Sequence, residues 1–148
     1  MPNGRKKGGR DAYGTLADLW RLLQSIIDDS ESTFEALGIS VKAYFLLDAV
    51  EEHPFPAELA GKLLLPRPTV TYLINQLEAG GFLERRVEAG DLRKFRLVRT
   101  PAGVKALRRV EEAMGRSFGE RLGRLSADEA AAFDRIVGVL TRPGGRDA

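Results

Sequence analysis

The chain has 148 residues, 43% of them hydrophobic and 30% charged, with a formal net charge of +2. That is the length of about one domain with enough apolar content for a core, and no apolar run reaches the 18 or so residues of a membrane span. Cysteine is absent and His53 is the sole histidine, which excludes disulfides and thiol chemistry and leaves little for a zinc site or a Ser-His-Asp triad, so neither metal nor cofactor is expected. Residues 1–12, rich in Gly, Lys and Arg, read as a flexible basic tail. They have no apolar stretch behind the charges, so they are not a secretory signal, and a cytoplasmic protein is expected. Thr15 and Asp18 form a capping-box-like start for a helix over 15–37, with Leu16, Leu19, Trp20, Leu23, Ile26, Ile27, Phe34 and Leu37 as its apolar stripe. Ser40 caps a second helix through Val41, Tyr44, Phe45, Leu47 and Val50, ending near His53-Pro54. A short helix follows Pro56, since a proline's missing N–H costs nothing at a helix start. Another runs from about Pro66 to Ala79, with Val70, Leu73, Ile74 and Leu77 inward and Gly80-Gly81 ending it. From Phe82 the period changes to that of two strands, 82–87 and 94–99, joined by the turn-forming Glu88-Ala89-Gly90-Asp91. Thr100-Pro101 is an N-cap followed by a first-position proline. It opens a long helix carrying Val104, Leu107, Val110, Met114, Phe118 and Leu122. Ser126 and Glu129 box the start of a last helix, stopped by Pro143.

Charge is unevenly distributed along this order. Residues 28–58 hold eight carboxylates against Lys42, whereas residues 59–110 hold eleven Lys and Arg against four acids. A basic middle on an otherwise neutral or acidic scaffold is the footprint of one polyanion-facing region, though charge alone fits an ordinary solvated face equally well. Short helix, turn, second helix and hairpin is the order of a winged helix-turn-helix, whose second helix enters the DNA major groove while the hairpin lies over the backbone. The exposed face of helix 66–79 shows Arg67, Pro68, Thr69, Thr71, Tyr72, Asn75 and Gln76, with no acid before Glu78. Arginine can bind guanine bidentately, and Asn or Gln adenine. The hairpin adds Arg85, Arg86, Arg93, Lys94, Arg96 and Arg99. The fold class is therefore mainly α with a small β-hairpin wing. The helices at 15–37 and 101–142 carry more apolar face than a lobe at 40–100 can cover, which predicts a homodimer. The acidic run Asp28, Asp29, Glu31 and Glu35 could hold a hard cation but lacks the loop geometry for one. There is no phosphate-binding glycine loop, no Gly-x-Ser-x-Gly and no histidine placed for acid-base work, so an enzyme is not expected. The alternative to DNA binding is a winged-helix module that binds protein.

The stretch Leu59-Ala60-x-x-Leu63-x-Leu65-x-Arg67-Pro68-Thr69-Val70-Thr71, continuing through Gln76-Leu77-Glu78 to Gly81-Phe82-Leu83-Glu84-Arg85, resembles the recognition region of MarR-type transcriptional regulators. Gly90-Asp91-Leu92-Arg93-Lys94 and Thr100-Pro101-Ala102-Gly103 are similar to that family's wing and its entry to the next helix, and the likeness covers about residues 15–142. It implies a homodimer of interlocked terminal helices on a pseudo-palindromic double-stranded DNA operator, with Arg93 reaching the minor groove and Asp91 orienting it. It further implies a repressor released by a small aromatic or anionic effector in a cleft bordered by Trp20, Arg21, Tyr44, Phe45 and His53. Aromatic residues at helical spacing more often pack in a core, and His53 at a helix end suits the dipole without any ligand. The chain departs from the family at Pro66, Tyr72, Asn75 and Arg99, where a serine, an arginine, an aspartate and an apolar residue are common.

Overall fold

The structure, a computed structural model, describes residues 11–143, with the side chains of Leu92 and Arg93 outside the described set. The predicted tail therefore falls mostly outside it, and the part that is described belongs to the first helix. That helix, α1 (Ala12–Asp29), starts earlier than the Thr15 signal. Asp11 caps it, its carboxylate accepting from the Gly14 amide at 2.7 Å, while Asp18 pairs with Arg21. A carboxylate at an N-cap satisfies an open N–H as a hydroxyl does, and Asp11 lies three residues upstream of the amide it meets.

The single helix expected over 15–37 is two. Ser30 interrupts it, with its hydroxyl donating to the Ile26 carbonyl at 2.9 Å and its amide to the Ile27 carbonyl at 2.9 Å. A serine bonded back onto the preceding turn bends a helix, and here the chain restarts as α2 (Glu31–Leu37). Gly38 ends α2 in the left-handed conformation at φ 66°, where a glycine meets no Cβ penalty. Ser40 caps α3 (Val41–Ala49), its oxygen accepting from the Ala43 amide. This helix ends four residues short of His53, because Arg99 takes the carbonyls of Leu47 and Asp48.

The next two helices, α4 (Pro56–Leu63) and α5 (Arg67–Ala79), are joined through Leu64, an exposed leucine held at φ 53°. The wing is an antiparallel pair, β1 (Leu83–Glu88) and β2 (Asp91–Arg99), with Arg85 opposite Leu97 and an irregularity at Val87/Glu88. After it come α6 (Pro101–Leu122) and α7 (Ala127–Leu140), the latter boxed by Ser126 and Glu129 as expected.

The core lies in one lobe. Leu46, Leu47, Val50, Leu59, Val70, Leu77, Leu97 and Val110 are fully buried there, and the four predicted inward residues of α5 are all among the buried set. At about 1.5–3 kcal/mol for each large apolar side chain withdrawn from water, this cluster is what holds α3 to α6 and the wing together. Outside it, α7 has no buried residue, and Ile136, Val137, Val139 and Leu140 face solvent with Tyr13, Leu16, Leu19 and Trp20 of α1. Trp20, expected to pack, is 60% exposed. Leu19, Leu22, Leu23 and Ile26 of α1, Met114 and Phe118 of α6, and Phe133 and Val137 of α7 line an apolar groove of about 720 Å³. No described helix is long and apolar enough to cross a membrane.

Candidate nucleic-acid interface

The placement of α5 follows from two local features. Pro66 precedes it with φ already preset, and its first turn carries neither an acid nor a side-chain cap, so the N-terminal amides stay open. With Val70, Leu73, Ile74 and Leu77 pinned in the core, the helical period turns Arg67, Pro68, Thr71, Tyr72, Asn75 and Gln76 outward and leaves Thr69 half-buried. A cleft of about 570 Å³ runs between the start of α4, the start of α5 and the wing, and brings Arg67 and Thr71 together with Lys94 and Phe95. Among the described residues neither Arg67 nor Lys94 has a carboxylate partner. Asp91 is exposed at the wing tip beside Gly90, which turns the hairpin at φ 91°. Arg93 lies on β2, with its side chain outside the described set.

The other hairpin cations are engaged within the protein. Arg86 pairs with Glu84 at 2.7 Å and Arg96 with Glu88 at 3.6 Å. Arg99 leaves the wing face altogether. Its Nε donates to the Leu47 carbonyl at 2.9 Å, Nη1 to Glu51 at 2.6 Å and Nη2 to the Asp48 carbonyl, so it caps the C-terminus of α3 with a mostly buried cation. Arg85, expected to meet DNA, turns onto the exposed side of α5. Its Nε donates to Glu78 at 2.7 Å, Nη2 donates to Asn75 Oδ1 at 2.6 Å, and the guanidinium lies 4.7 Å from the centre of the Phe95 ring. On the same helix Gln76 Nε2 donates to the Tyr72 hydroxyl at 2.9 Å.

A second knot seats the wing. The Thr100 hydroxyl accepts from the Gly103 amide at 3.0 Å and donates to the Gly81 carbonyl at 2.5 Å, and the Thr100 amide donates to the Phe82 carbonyl at 3.1 Å. Gly103 lies so close to Phe82 that a Cβ would stand 2.2 Å from its carbonyl oxygen. The Thr-Pro-x-Gly spacing is thus a cap, a preset φ and a close approach of two backbones.

The residues predicted to border an effector cleft separate into two groups. Phe45 and His53 share a cleft of about 600 Å³ with Asp48, Glu51, Glu52, Lys62, Arg99 and Glu111. Tyr44 stacks edge-on between Phe34 and Phe45, and burial, with Asp48 and Glu111 nearby, pushes its hydroxyl pKa up. Trp20 and Arg21 do not border this cleft. Its four carboxylates against two cations run counter to the anionic half of the expectation. The engagement of Arg85 by Asn75 and Glu78, and of Arg99 by α3, has no signature in spacing. Only the register of β1 against α5, and the apposition of β2 to the end of α3, creates those pairs.

A two-helix unit that exposes a donor-rich second helix beside a basic hairpin is a winged helix-turn-helix. Residues 37–94, from the end of α2 into β2, match the model of the MarR family. The chain is 31% identical over 107 residues to the Thauera aromatica protein called "Putative transcriptional regulatory protein for hcr operon", an alignment covering 71% of this chain and 63% of that one. The chain therefore spans somewhat under two thirds of that relative's length. Among solved structures it is similar to RV1404 from Mycobacterium tuberculosis, with a TM-score of 0.74 at 18% identity over 95% of this chain and 99% of that one. It is also similar to a mutant of S. aureus MepR bound to an oligodeoxyribonucleotide, with a TM-score of 0.63 at 19% identity over 88% and 96%.

Proposed function

We propose that the chain is a sequence-specific DNA-binding transcriptional regulator that works as a homodimer on a pseudo-palindromic duplex. The observation that carries this reading is the exposed, acid-free first two turns of α5, set against Lys94 in one cleft. Arg67 and Thr71, with Asn75 and Gln76 one turn further on, meet base edges in the major groove. Pro68 and Thr69 seat the helix start, while Tyr72 and Lys94 meet phosphates. Asp91 and Arg93 act at the wing tip, where a narrow minor groove attracts an arginine. The apolar groove between α1, α6 and α7 receives the second subunit, which sets the two recognition helices about one helical turn, 10–10.5 bp, apart. The cleft beside Phe45 and His53 is where a small effector would act, lifting a repressor from its site by binding the two arrangements of the dimer unequally.

Titration of operator and scrambled duplex at several salt concentrations tests this. Arg67→Ala should cost about 1–3 kcal/mol on operator and relax preference at one position per half-site. Lys94→Ala should weaken both duplexes alike and lower the salt slope by about one for each phosphate it no longer neutralises. Equal, salt-insensitive affinity of the wild-type chain for both duplexes would overturn the reading.

A further inference from the structure

Resting on the DNA-binding reading, we propose that Arg85 is a positioning residue that fixes the orientation of the Asn75 amide, so that it presents its donor to a base ahead of its acceptor. A guanidinium carries donors and no acceptor. The Asn75 atom 2.6 Å from Arg85 Nη2 must therefore be the amide oxygen, Oδ1. This assignment follows from chemistry, whereas the Gln76–Tyr72 bond could run either way because a phenol both donates and accepts. Arg85 is itself held from two sides, by Glu78 at 2.7 Å and by the face of Phe95 at 4.7 Å, so it has little freedom to release the oxygen. Among the described residues the Asn75 Nδ2 has no partner, and the side chain lies on the exposed face of α5.

An unrestrained asparagine reads adenine with both atoms, accepting from N6 and donating to N7. An amide oxygen has two lone pairs, but the bond to Arg85 turns Oδ1 toward the wing, so Nδ2 is the atom that leads toward a base. A leading donor suits the keto bases, guanine through O6 and N7 or thymine through O4. It meets a repelling amino group on cytosine and only N7 on adenine. The chain should therefore select guanine or thymine at the base facing Asn75, by on the order of fivefold, the low end of the discrimination that a good bidentate base contact provides.

The test is selection of bound duplexes from a randomised pool by the full-length protein, scored column by column. Asn75→Ala locates the column, because it flattens the keto preference there and leaves the others standing. Arg85→Ala should shift that same column toward adenine, and Arg85→Lys, which keeps a donor-only cation, should retain the keto preference. Arg85→Gln, which keeps the bulk but can turn either way, carries the same expectation as Arg85→Ala where that variant does not fold. A merely structural role for Arg85 would weaken all sequences together and leave the column unchanged, and that result overturns the proposal. So would a wild-type column at Asn75 that favours adenine or cytosine. A wild-type chain that selects no sequence at all overturns the DNA-binding reading itself, which distinguishes the two failures.

Discussion

The lobe built from α3 to α6 and the wing buries its apolar side chains, whereas the faces of α1 and α7 leave theirs in water. Leu46, Leu47 and Leu59 are fully enclosed, while Leu16, Trp20, Val139 and Leu140 are each more than half exposed. The same chain thus holds one region that is complete within a single copy and another whose surface is larger and more apolar than a lone domain of this size keeps. Local signals specify the first region. The second is amphipathic and left uncovered by the described residues, and it is the face that the proposed dimer would bury.

Substitutions that set the two regions against each other should show the widest gap first. Leu47→Ala removes a fully buried side chain and should cost about 2–5 kcal/mol in chemical denaturation. Val139→Ala should change the unfolding of dilute chain by no more than about 0.5 kcal/mol, and should instead weaken self-association measured by sedimentation velocity. A large loss of stability from Val139→Ala with no change in association would break the comparison. Gly103→Ala comes next, at about 3 kcal/mol, because its new Cβ meets a backbone oxygen that no rotamer can move aside. Thermal melts of the variant should show the lobe loosened.

Arg99→Met should cost about 1–3 kcal/mol, since it strips donors from two carbonyls and leaves Glu51 without its cation. Its DNA affinity, measured at a temperature where the variant stays folded, should stay near that of wild type. The smallest effect joins the two regions. Asp29, at the end of α1, accepts from the Ser117 hydroxyl and from Arg121 of α6, and these bonds hold its carboxyl pKa below its ordinary value of 3.8. The folded chain binds that proton less readily than the unfolded one. The stabilisation is therefore present above 3.8 and is lost as pH falls through the lower folded value. Asp29→Asn should flatten the acid limb of the stability profile followed by circular dichroism.

What residues alone reveal is what depends on near neighbours. Ser40, Thr100-Pro101 and Ser126-Glu129 act within three or four positions, so their caps are legible, as is the buried side of α5 with its helical period. The break at Ser30 is not, because a serine on a helix is compatible with a straight one until its hydroxyl turns back to Ile26. Asp11 is masked in the sequence by Thr15, a competing cap four residues later. The engagement of Arg85 and Arg99 is illegible for a different reason. Asn75 stands 10 residues from Arg85, and Leu47, Asp48 and Glu51 stand 48 to 52 residues from Arg99. A run of arginines on a strand reads as a surface for polyanions until the fold gives Arg85, Arg86, Arg96 and Arg99 neighbours of their own. The expected DNA-facing residues of α5 lie on one exposed side except the half-buried Thr69, whereas Trp20 and Arg21 are absent from the cleft that holds Phe45 and His53.

The knot at Gly81, Phe82, Thr100 and Gly103 has a mechanical consequence. It ties the exit of α5 and the root of the wing to the first turn of α6 through backbone atoms that cannot slide past one another. The 22 residues of α6 make an arm roughly 33 Å long at 1.5 Å per residue. With the knot as fulcrum, a tilt of about 5° moves the far end by about 3 Å, close to the rise of one base pair. A displacement imposed where α6 meets α1 and α7 would thereby reach the exit of α5 through hydrogen-bonded backbone at Gly81, Phe82 and Thr100.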